Sequence, residues 1–389
     1  MHNGIKNILT VVRREIKFIS HDVNLISVLL LAPLFYSFFY GSIYYNKVET
    51  DVSIVVVDMD HSDLSRKLIR MLDAHQLIKV NDSVEDLTQA KNEIDNGKAQ
   101  GVVFIPKNFE SEVKSGKGTD IKIYLNTTRF LISNDLNKAI NEVIATMGMG
   151  VRLKYFEAQG YSFEQSKELV EPLHLDMRPM FNFTESYGDF LIVAILVLIL
   201  HQTLMFGLSE SVAKEREFDT LHELYQESNK SVAAALFGKG FFYIILYSAY
   251  SFFFFTINFG LFKIRFDGNP YALALTTLLM VISITFLSIF ISSFFKRKIF
   301  ALQFLTLTSY PLFLISGYSW PLSSMPVFLQ LIAYLIPLTP FLNAYQRITQ
   351  MGAGWNDVVV QIFHLLILSI LGFTASYYRM KNLFSTKKI

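Results

Sequence analysis

The sequence predicts a polytopic α-helical membrane protein with six transmembrane helices, one before and five after an inserted extracytoplasmic α/β domain. Its composition supports this fold class, since 52% of the 389 residues are hydrophobic and only 17% are charged. About a quarter of the residues in soluble proteins are charged. Several nearly uncharged apolar runs are also long enough for a bilayer, whose core requires about 20 helical residues.

Residues 1–20 are predicted to form a cytoplasmic amphipathic helix suited to the interface of an anionic leaflet. Its apolar residues recur at helical spacing and its basic residues lie largely opposite them: Ile5, Ile8, Leu9, Val12, Ile16 and Ile19 against Lys6, Arg13, Arg14 and Lys17. A signal peptide is the alternative. The apolar segment that follows, residues 21–45, is too long for one and has no A-x-A-like cleavage site. We therefore predict that residues 21–45 form the first transmembrane helix, kinked at Pro33.

Residues 46–185 have the character of a soluble α/β domain. β-branched and alternating runs predict strands at 52–57, 77–80, 102–105 and 121–125, and helical spacing predicts helices at 62–75, 84–96, 134–159 and 163–170. About 140 residues suffice for an independent core. Four residues after the first predicted strand are of types that bind metals: Asp58, Asp60, His61 and Asp63. A turn between a strand and a helix favours Asp for capping, however, so no metal site is predicted.

Residues 186–380 are predicted to contain the other five transmembrane helices, followed by a cytoplasmic tail at 381–389. The apolar runs cover 187–209, 237–262, 271–295, 299–316 and 355–378. Short segments rich in Lys and Arg mark the cytoplasmic side of a membrane protein. Most such segments fall on the side of the N-terminal helix, so both termini and segment 210–231 are predicted to be cytoplasmic. The α/β domain then faces outward.

Residues 316–348 are predicted to form a re-entrant segment between spans five and six. Pro326, Pro337 and Pro340 exclude one straight helix, and the apolar stretches between them are too short to cross a bilayer. We expect two short helices that dip into the outer leaflet, where irregular backbone must be sheltered by protein. A plain extracellular loop is the alternative, although such a loop would not normally be so apolar.

The sequence lacks the motifs of an enzyme. It has no cysteine and a net charge of only +2, which argues against thiolate metal sites and a nucleic-acid partner. A G-x-x-x-x-G-K-[ST] pattern is absent, so no P-loop is predicted. Residues 115–119, Ser-Gly-Lys-Gly-Thr, look similar to a phosphate loop but lack its upstream glycine, and we interpret them as a turn. No catalytic residue, metal or bound cofactor is predicted for this chain.

A charged segment, Lys214–Leu224, separates the second and third spans. Phe218, Leu221 and Tyr225 lie three and four residues apart. This spacing predicts a short amphipathic helix that packs on the inner end of the bundle and offers its charges to a cytosolic partner. A solvated, capped loop is the alternative.

Polar residues inside apolar spans are costly and therefore informative. His201 and Gln202 lie in the second predicted span, and Gln303 and Thr306 in the fifth. Hydrogen bonding between helices explains such residues. A role in lining a transport pathway is the other interpretation, and both stay open.

Taken in order, these segments resemble the permease subunit of an ABC-2 type exporter with a large extracytoplasmic domain after its first helix. The resemblance rests on four segments: Glu215-Arg216-Glu217-Phe218-Asp219-Thr220-Leu221, similar to Glu-Arg-Glu-x-Gly-Thr-Leu; Gly238-Lys239 at the start of the third span; Ser316-Gly317 through Pro321, Met325-Pro326 and Pro337-Leu338-Thr339-Pro340; and Arg14-Glu15 in the N-terminal helix. The chain departs from the pattern at Asp219, where the family commonly has glycine, and at His222, where an acidic residue is common.

The resemblance implies a half-exporter for an amphiphilic drug or lipid in the bacterial cytoplasmic (inner) membrane. Its expected partners are a second permease, membrane lipid, a periplasmic adaptor as in many relatives, and an ABC ATPase that carries the ATP and Mg. The resemblance also implies a set of residues that contact the ATPase: Arg14, Glu15, Glu215, Arg216, Glu217, Phe218, Thr220 and Leu221. It further implies a re-entrant segment, which is marked by Ser316, Gly317, Pro321, Met325, Pro326, Pro337 and Pro340. The alternative function is a membrane-anchored sensor or scaffold with an extracytoplasmic ligand-binding domain.

Overall fold

The computed structural model describes residues 2–173, 175–182 and 185–386. The chain divides into two compact units. One unit, here called the membrane unit, comprises Met1–Lys47 and Pro179–Ile389, and the other, the α/β unit, comprises Val48–Arg178. The prediction of a polytopic helical protein with a small inserted sheet is confirmed.

The first part of the membrane unit contains two helices, α1 (His2–Ser20) and α2 (Val23–Ile43). The α/β unit follows with β1 (Val52–Asp58), α3 (Asp63–Asp73), β2 (Ile78–Ser83), α4 (Leu87–Asp95), β3 (Gly101–Ile105), α5 (Phe109–Lys114), β4 (Lys122–Leu125), α6 (Phe130–Ala158) and α7 (Phe163–Val170). The chain then continues through α8 (Tyr187–Glu217), α9 (Leu221–Glu227), α10 (Val232–Leu261), α11 (Pro270–Ser292), α12 (Lys298–Leu314), α13 (Val327–Tyr334), α14 (Leu338–Met351) and α15 (Trp355–Thr386).

The α/β unit is built on a four-stranded sheet of order β2-β1-β3-β4. β1 is parallel to both of its neighbours, and β4 is antiparallel to β3. Alternate residues of a strand point to opposite faces of the sheet. Ile54 and Val56 accordingly join a core with α3 and α6 on one face, and Val55 and Val57 join a smaller core with α4 on the other.

The turn after β1 shows what its acidic residues do. Oδ1 of Asp58 accepts hydrogen bonds from the backbone N–H groups of Asp60 and His61, and Oδ2 accepts one from the Ser65 hydroxyl at 2.7 Å. The Ser62 hydroxyl caps α3 by accepting from the Ser65 N–H. These contacts hold the start of α3 against the end of β1, as expected of capping residues.

In the described part of the membrane unit, five helices are long and apolar enough to cross a bilayer: α2, α8, α10, α11 and α15. The count rises to six if α13 and α14, which are bent by 81° with respect to each other, form one broken span. α12 is a shorter apolar helix of 17 residues. A π-helical turn at Ser27–Leu31 precedes Pro33 in α2, so Pro33 lies in the first turn of the next α-helical segment.

Helices α8 and α11 form the centre of the membrane unit. Most of the apolar part of each is buried, whereas only 22–33% of the apolar part of α2, α10 and α15 is buried. α8 packs against α11, α12 and α2, and α10 packs against α1. Because α8 continues from the bundle interior into the charged segment, it places that segment at the end of the bundle where α1 lies.

Candidate functional site

The charged segment consists of two helices and not of the single short helix that the sequence predicts. α8 continues to Glu217, and α9 begins at Leu221. Asp219 between them has a φ of +60°, a left-handed conformation that ends a helix and that glycine adopts most easily. Phe218 therefore does not share a face with Leu221. Its side chain is 60% exposed, whereas that of Leu221 is buried at 2%.

Glu215, on the last turn of α8, is the centre of a buried ionic cluster. The Arg14 guanidinium donates to both of its carboxylate oxygens, at 2.6 and 2.9 Å. Nζ of Lys239 lies 2.9 Å from Oε1, and the Thr220 hydroxyl donates to Oε2. Such bidentate, charge-assisted hydrogen bonds are the strong ones in proteins. Glu215 thereby joins α1, α8 and α10.

Lys239 is an ionisable residue inside an apolar helix. It is 1% exposed, and its ammonium group also contacts Glu15 Oε2 at 3.0 Å and the carbonyl oxygen of Ser211 at 2.9 Å. Three acceptors therefore match its three N–H donors. Without these acceptors, burial of an ammonium would be strongly unfavourable.

The close approach of α1 to α10 depends on Gly238, the residue before Lys239. A Cβ atom at this position would overlap Val11 of α1. The small residue thus lets α1 lie directly on α10, with Arg14 and Glu15 facing the cluster. Sequence reasoning noted the Gly-Lys pair but did not include Lys239 among the site residues. The signal that could have found it is a lysine near the start of an apolar span.

Arg14 extends the cluster from the buried centre to the surface. Its Nε lies 3.1 Å from Glu227 Oε2 of α9, and its Nη2 lies 3.8 Å from the exposed Glu223. Burial lowers the pKa of Arg14, but the hydrogen bonds to Glu215 and the nearby carboxylates outweigh it, so that the pKa lies above its ordinary value. Arg14 is thus a permanently charged link between α1, α8 and α9.

A second ionic cluster joins the start of α2 to α8 and α12. Lys214 Nζ lies 3.4 Å from Asp22 and 3.9 Å from Glu210, and Lys298 Nζ lies 3.8 and 3.5 Å from the same two carboxylates. Lys214 also lies 3.3 Å from the centre of the Phe18 ring. Burial by itself would raise the pKa of Asp22. The hydrogen bond from the Leu25 N–H and the charge of Lys214 outweigh this effect, so the pKa lies below its ordinary value.

Arg216 and Glu217, which follow Glu215, also form hydrogen bonds within the chain. Arg216 donates to the carbonyl oxygens of Ser293 at 2.6 Å and Phe295 at 3.1 Å, just after α11. Glu217 accepts from the Lys298 N–H at 2.7 Å, at the start of α12. Of the predicted contact residues, Phe218 and Glu217 remain exposed, whereas Glu15 and Glu215 are buried.

The residues that mark segment 316–348 lie in two different environments. Pro337 and Pro340 are buried at the start of α14, Ser316 is buried, and Pro321 and Pro326 are exposed beside Met325. Gly317, with a φ of +93°, makes the turn after α12. Tyr318 next to it stacks on Phe190 and donates to the Phe190 carbonyl oxygen at 2.6 Å. The turn is therefore fastened to α8.

The four polar residues considered for a pathway do not form one group. His201 is buried inside the bundle, and its Nδ1 has no hydrogen-bond partner among the described residues. Gln202 is partly buried, whereas Gln303 and Thr306 are exposed on α12.

Comparison with known proteins finds a matching family and several relatives. A family model described as "ABC-2 family transporter protein" matches residues 24–378. The linearmycin resistance permease protein LnrN of Bacillus subtilis is 22% identical over 95% of this chain and 98% of its own length. The inner membrane transport permease YhhJ of Escherichia coli is 21% identical over 98% of this chain and 99% of its own length. The probable multidrug ABC transporter permease YbhR of Escherichia coli is 22% identical over 95% of this chain and 96% of its own length.

Proposed function

We propose a function from the premise that this chain belongs to the ABC-2 family of transporter proteins, whose model matches residues 24–378. Members of this family are transmembrane permeases without an ATPase domain, and membership implies an ABC ATPase as partner. The chain is then the permease subunit of an exporter for an amphiphilic drug or lipid, and ATP and Mg bind to the partner. The names of two relatives, a resistance permease and a probable multidrug permease, support a drug as the substrate.

The observation that carries the proposal is the bridge from Arg14 through Glu215 to Lys239. Force applied to the exposed end of α8 or to α9 reaches α1 and α10 through short charge-assisted hydrogen bonds. α8 itself runs through the centre of the bundle. The buried cluster therefore acts as a joint that moves the two helices together, and it does not contact the ATPase itself.

The contact with the ATPase is assigned to the exposed surface beside the joint. Phe218 is 60% exposed between α8 and α9, and Glu217 and His222 on either side of it are also exposed. Aromatic residues with charged neighbours are frequent at the energetic centres of protein interfaces. Phe218 is the residue that we assign to a pocket of the ATPase.

The distribution of positive charges supports an orientation of the chain in the membrane. α1, α9 and the start of α10 lie at one end of the membrane unit, where Lys6, Arg13 and Lys17 are exposed. Positive segments mark the cytoplasmic side. We therefore assign this end and both termini to the cytoplasm, in a bacterial inner membrane, and the α/β unit to the outer side, where a periplasmic adaptor is a further partner. Segment 316–348 is assigned to the outer leaflet as a re-entrant pair of helices.

A second permease is supported by the exposed polar residues of α12. Gln303 and Thr306 project from the surface of an apolar helix. Polar residues in membrane helices generally face protein or a water-filled cavity and not lipid. We assign this face of α12 to contact with the second permease and to the pathway between the two subunits.

Co-purification tests the proposed ATPase contact. Membranes are extracted with a mild detergent, and the ATPase that accompanies the tagged chain is quantified. Phe218→Asp is expected to remove the ATPase, because a carboxylate cannot occupy an apolar pocket. Phe130→Asp is the matched control, since Phe130 is 69% exposed in the α/β unit. Retention of the ATPase by Phe218→Asp would contradict the contact. Absence of an ATPase from the unmodified protein would favour a sensor or scaffold.

A further inference from the structure

The α/β unit contains a cavity of about 380 Å³, here called the α/β cavity. It lies between α3, α5, α6 and the loop before β4. A volume of this size is within the range of small-molecule sites, about 300–1,000 Å³. The floor is the main core of the unit, formed by Leu68, Phe109 and Met147, which are all buried. The interior of the cavity is therefore apolar.

A glycine inside α6 leaves open space on the side of the helix that faces the cavity. Gly148 lines it, and a Cβ atom at this position would have no neighbour within 4 Å. Glycine in the middle of a helix lowers stability relative to alanine. Here it leaves space that any larger side chain would fill.

The exposed side of the cavity is positively charged. Lys117 and Arg152 line it and are exposed, and no carboxylate is among the described lining residues. Within the described part of the chain, neither side chain takes part in an ion pair. Both cations are thus available to an anion at the opening.

Lys117 belongs to residues 115–119, the Ser-Gly-Lys-Gly-Thr segment interpreted as a turn in the sequence. The structure confirms a turn, with Gly116 at a φ of +76°, and places Gly116, Lys117, Gly118 and Thr119 along the cavity. Tyr155 and Phe156 line the cavity from α6. The turn therefore supplies polar groups to one edge of an otherwise apolar and aromatic site.

We infer that the α/β cavity binds an amphiphile with one apolar chain and one anionic head group. The apolar chain lies on Leu68, Phe109 and Met147, and the head group lies between Lys117 and Arg152. A cavity lined by apolar and aromatic side chains with a few convergent polar groups is typical of such sites. The inference does not depend on the transport role, since every lining residue belongs to the α/β unit.

Photo-crosslinking tests the inference on the full chain in nanodiscs of phosphatidylcholine. The probe is a fatty acid with a diazirine in its chain, and the fatty alcohol of the same length is the uncharged comparison. After irradiation, labelled peptides are mapped by mass spectrometry. We expect the acid to label α3, α5 and α6 about tenfold more than the alcohol does, the equivalent of one charge-assisted hydrogen bond.

Two sets of variants separate the apolar part of the site from the anionic part. Gly148→Leu fills the cavity and is expected to reduce labelling by about tenfold or more. Gly150→Leu is its matched control, because Gly150 lies on the same helix, also has no neighbour within 4 Å and does not line the cavity. The pair Lys117→Glu and Arg152→Glu is expected to reduce labelling by the acid to the level of the alcohol.

Three results would overturn the inference. Labelling confined to the membrane helices would show that the cavity is not a site. Equal labelling of Gly148→Leu and Gly150→Leu would show that the probe does not enter the cavity. Equal labelling by acid and alcohol, unchanged in the charge-reversed variant, would remove the anionic head group from the assignment.

Discussion

Nζ of Lys239 lies 2.9 Å from Oε1 of Glu215, and both side chains are buried in the membrane unit. This ion pair connects the start of α10 with the end of α8. Together with the partly buried Arg14 and the buried Glu15 it forms a group of two cations and two carboxylates. The cluster thus connects α1, α8 and α10 inside the membrane unit.

Lys239→Met is predicted to destabilise the membrane unit by about 3–5 kcal/mol, because removal of one partner leaves a buried charge uncompensated. Thermal unfolding in detergent measures the effect. Lys263→Met is the control, since Lys263 is exposed and lies two residues after the end of α10. Adding Glu15→Gln to Lys239→Met restores the charge balance and should recover part of the stability. Unchanged unfolding of Lys239→Met would show that the cluster is not a stabilising contact.

Glu215→Gln is predicted to reduce transport strongly while membrane insertion stays normal. The variant loses the ionic contacts that connect α8 with Arg14 and Lys239. Efflux of a fluorescent amphiphile from cells, normalised to the protein in the membrane, measures the effect. Glu223→Gln is the matched control, since Glu223 is exposed and lies 3.8 Å from Arg14, a type of contact worth about 0–1 kcal/mol. Equal transport by both variants would argue against the joint.

Asp219→Val is predicted to impair ATPase association more than Asp219→Gly. The φ of +60° is accessible to glycine without strain, and a β-branched residue there costs about 1–3 kcal/mol. Valine therefore shifts the end of α8 and the position of Phe218. Co-purification of the ATPase with the two variants measures the difference. If the two variants behave alike, the left-handed turn has no role in presenting Phe218.

The pKa of Asp22 predicts a loss of stability in acid. Since the folded-state pKa lies below its ordinary value of 3.8, the stabilisation is present above about pH 4 and is lost as the pH falls through the lowered pKa. Asp22→Asn should therefore flatten the dependence of the unfolding temperature on pH between about 5 and 3. Asp95→Asn, at an exposed position in the α/β unit, is the control. If the unfolding temperature of Asp22→Asn depends on pH in the same way as that of the unmodified protein, the role assigned to Asp22 is contradicted.

Cysteine crosslinking tests the proposed contact of α12 with a second permease. The chain contains no cysteine, so Thr306→Cys introduces a single thiol on the exposed face of α12. Oxidation is expected to give a disulfide-linked dimer in membranes, because equivalent residues near a two-fold axis approach each other. Tyr378→Cys, at a position that is 61% exposed on α15, is the control. Failure of Thr306→Cys to crosslink would exclude a homodimer through this residue.

The charged segment shows where sequence reasoning succeeds and where it fails. The spacing of Phe218, Leu221 and Tyr225 predicts one helix. That prediction is wrong because Asp219 adopts a left-handed conformation that interrupts the helix. Leu221 still packs into the bundle, as predicted for the apolar face. Glu215 and Arg216, which the sequence interpretation offers to a partner, bond within the chain. Periodicity describes an unbroken helix and cannot detect a single left-handed residue.

The family, the helical membrane class and the inserted four-stranded sheet are all predictable from the sequence. These features depend on hydropathy, length and spacing over short stretches of chain, which are local properties. The pairing of Arg14 with Glu215, 201 positions away, and of Lys239 with Glu15, 224 positions away, is visible only in the folded chain. Those pairings follow from the packing of α1 on α10 at Gly238. Contacts between distant parts of the chain leave no periodic signal in the sequence.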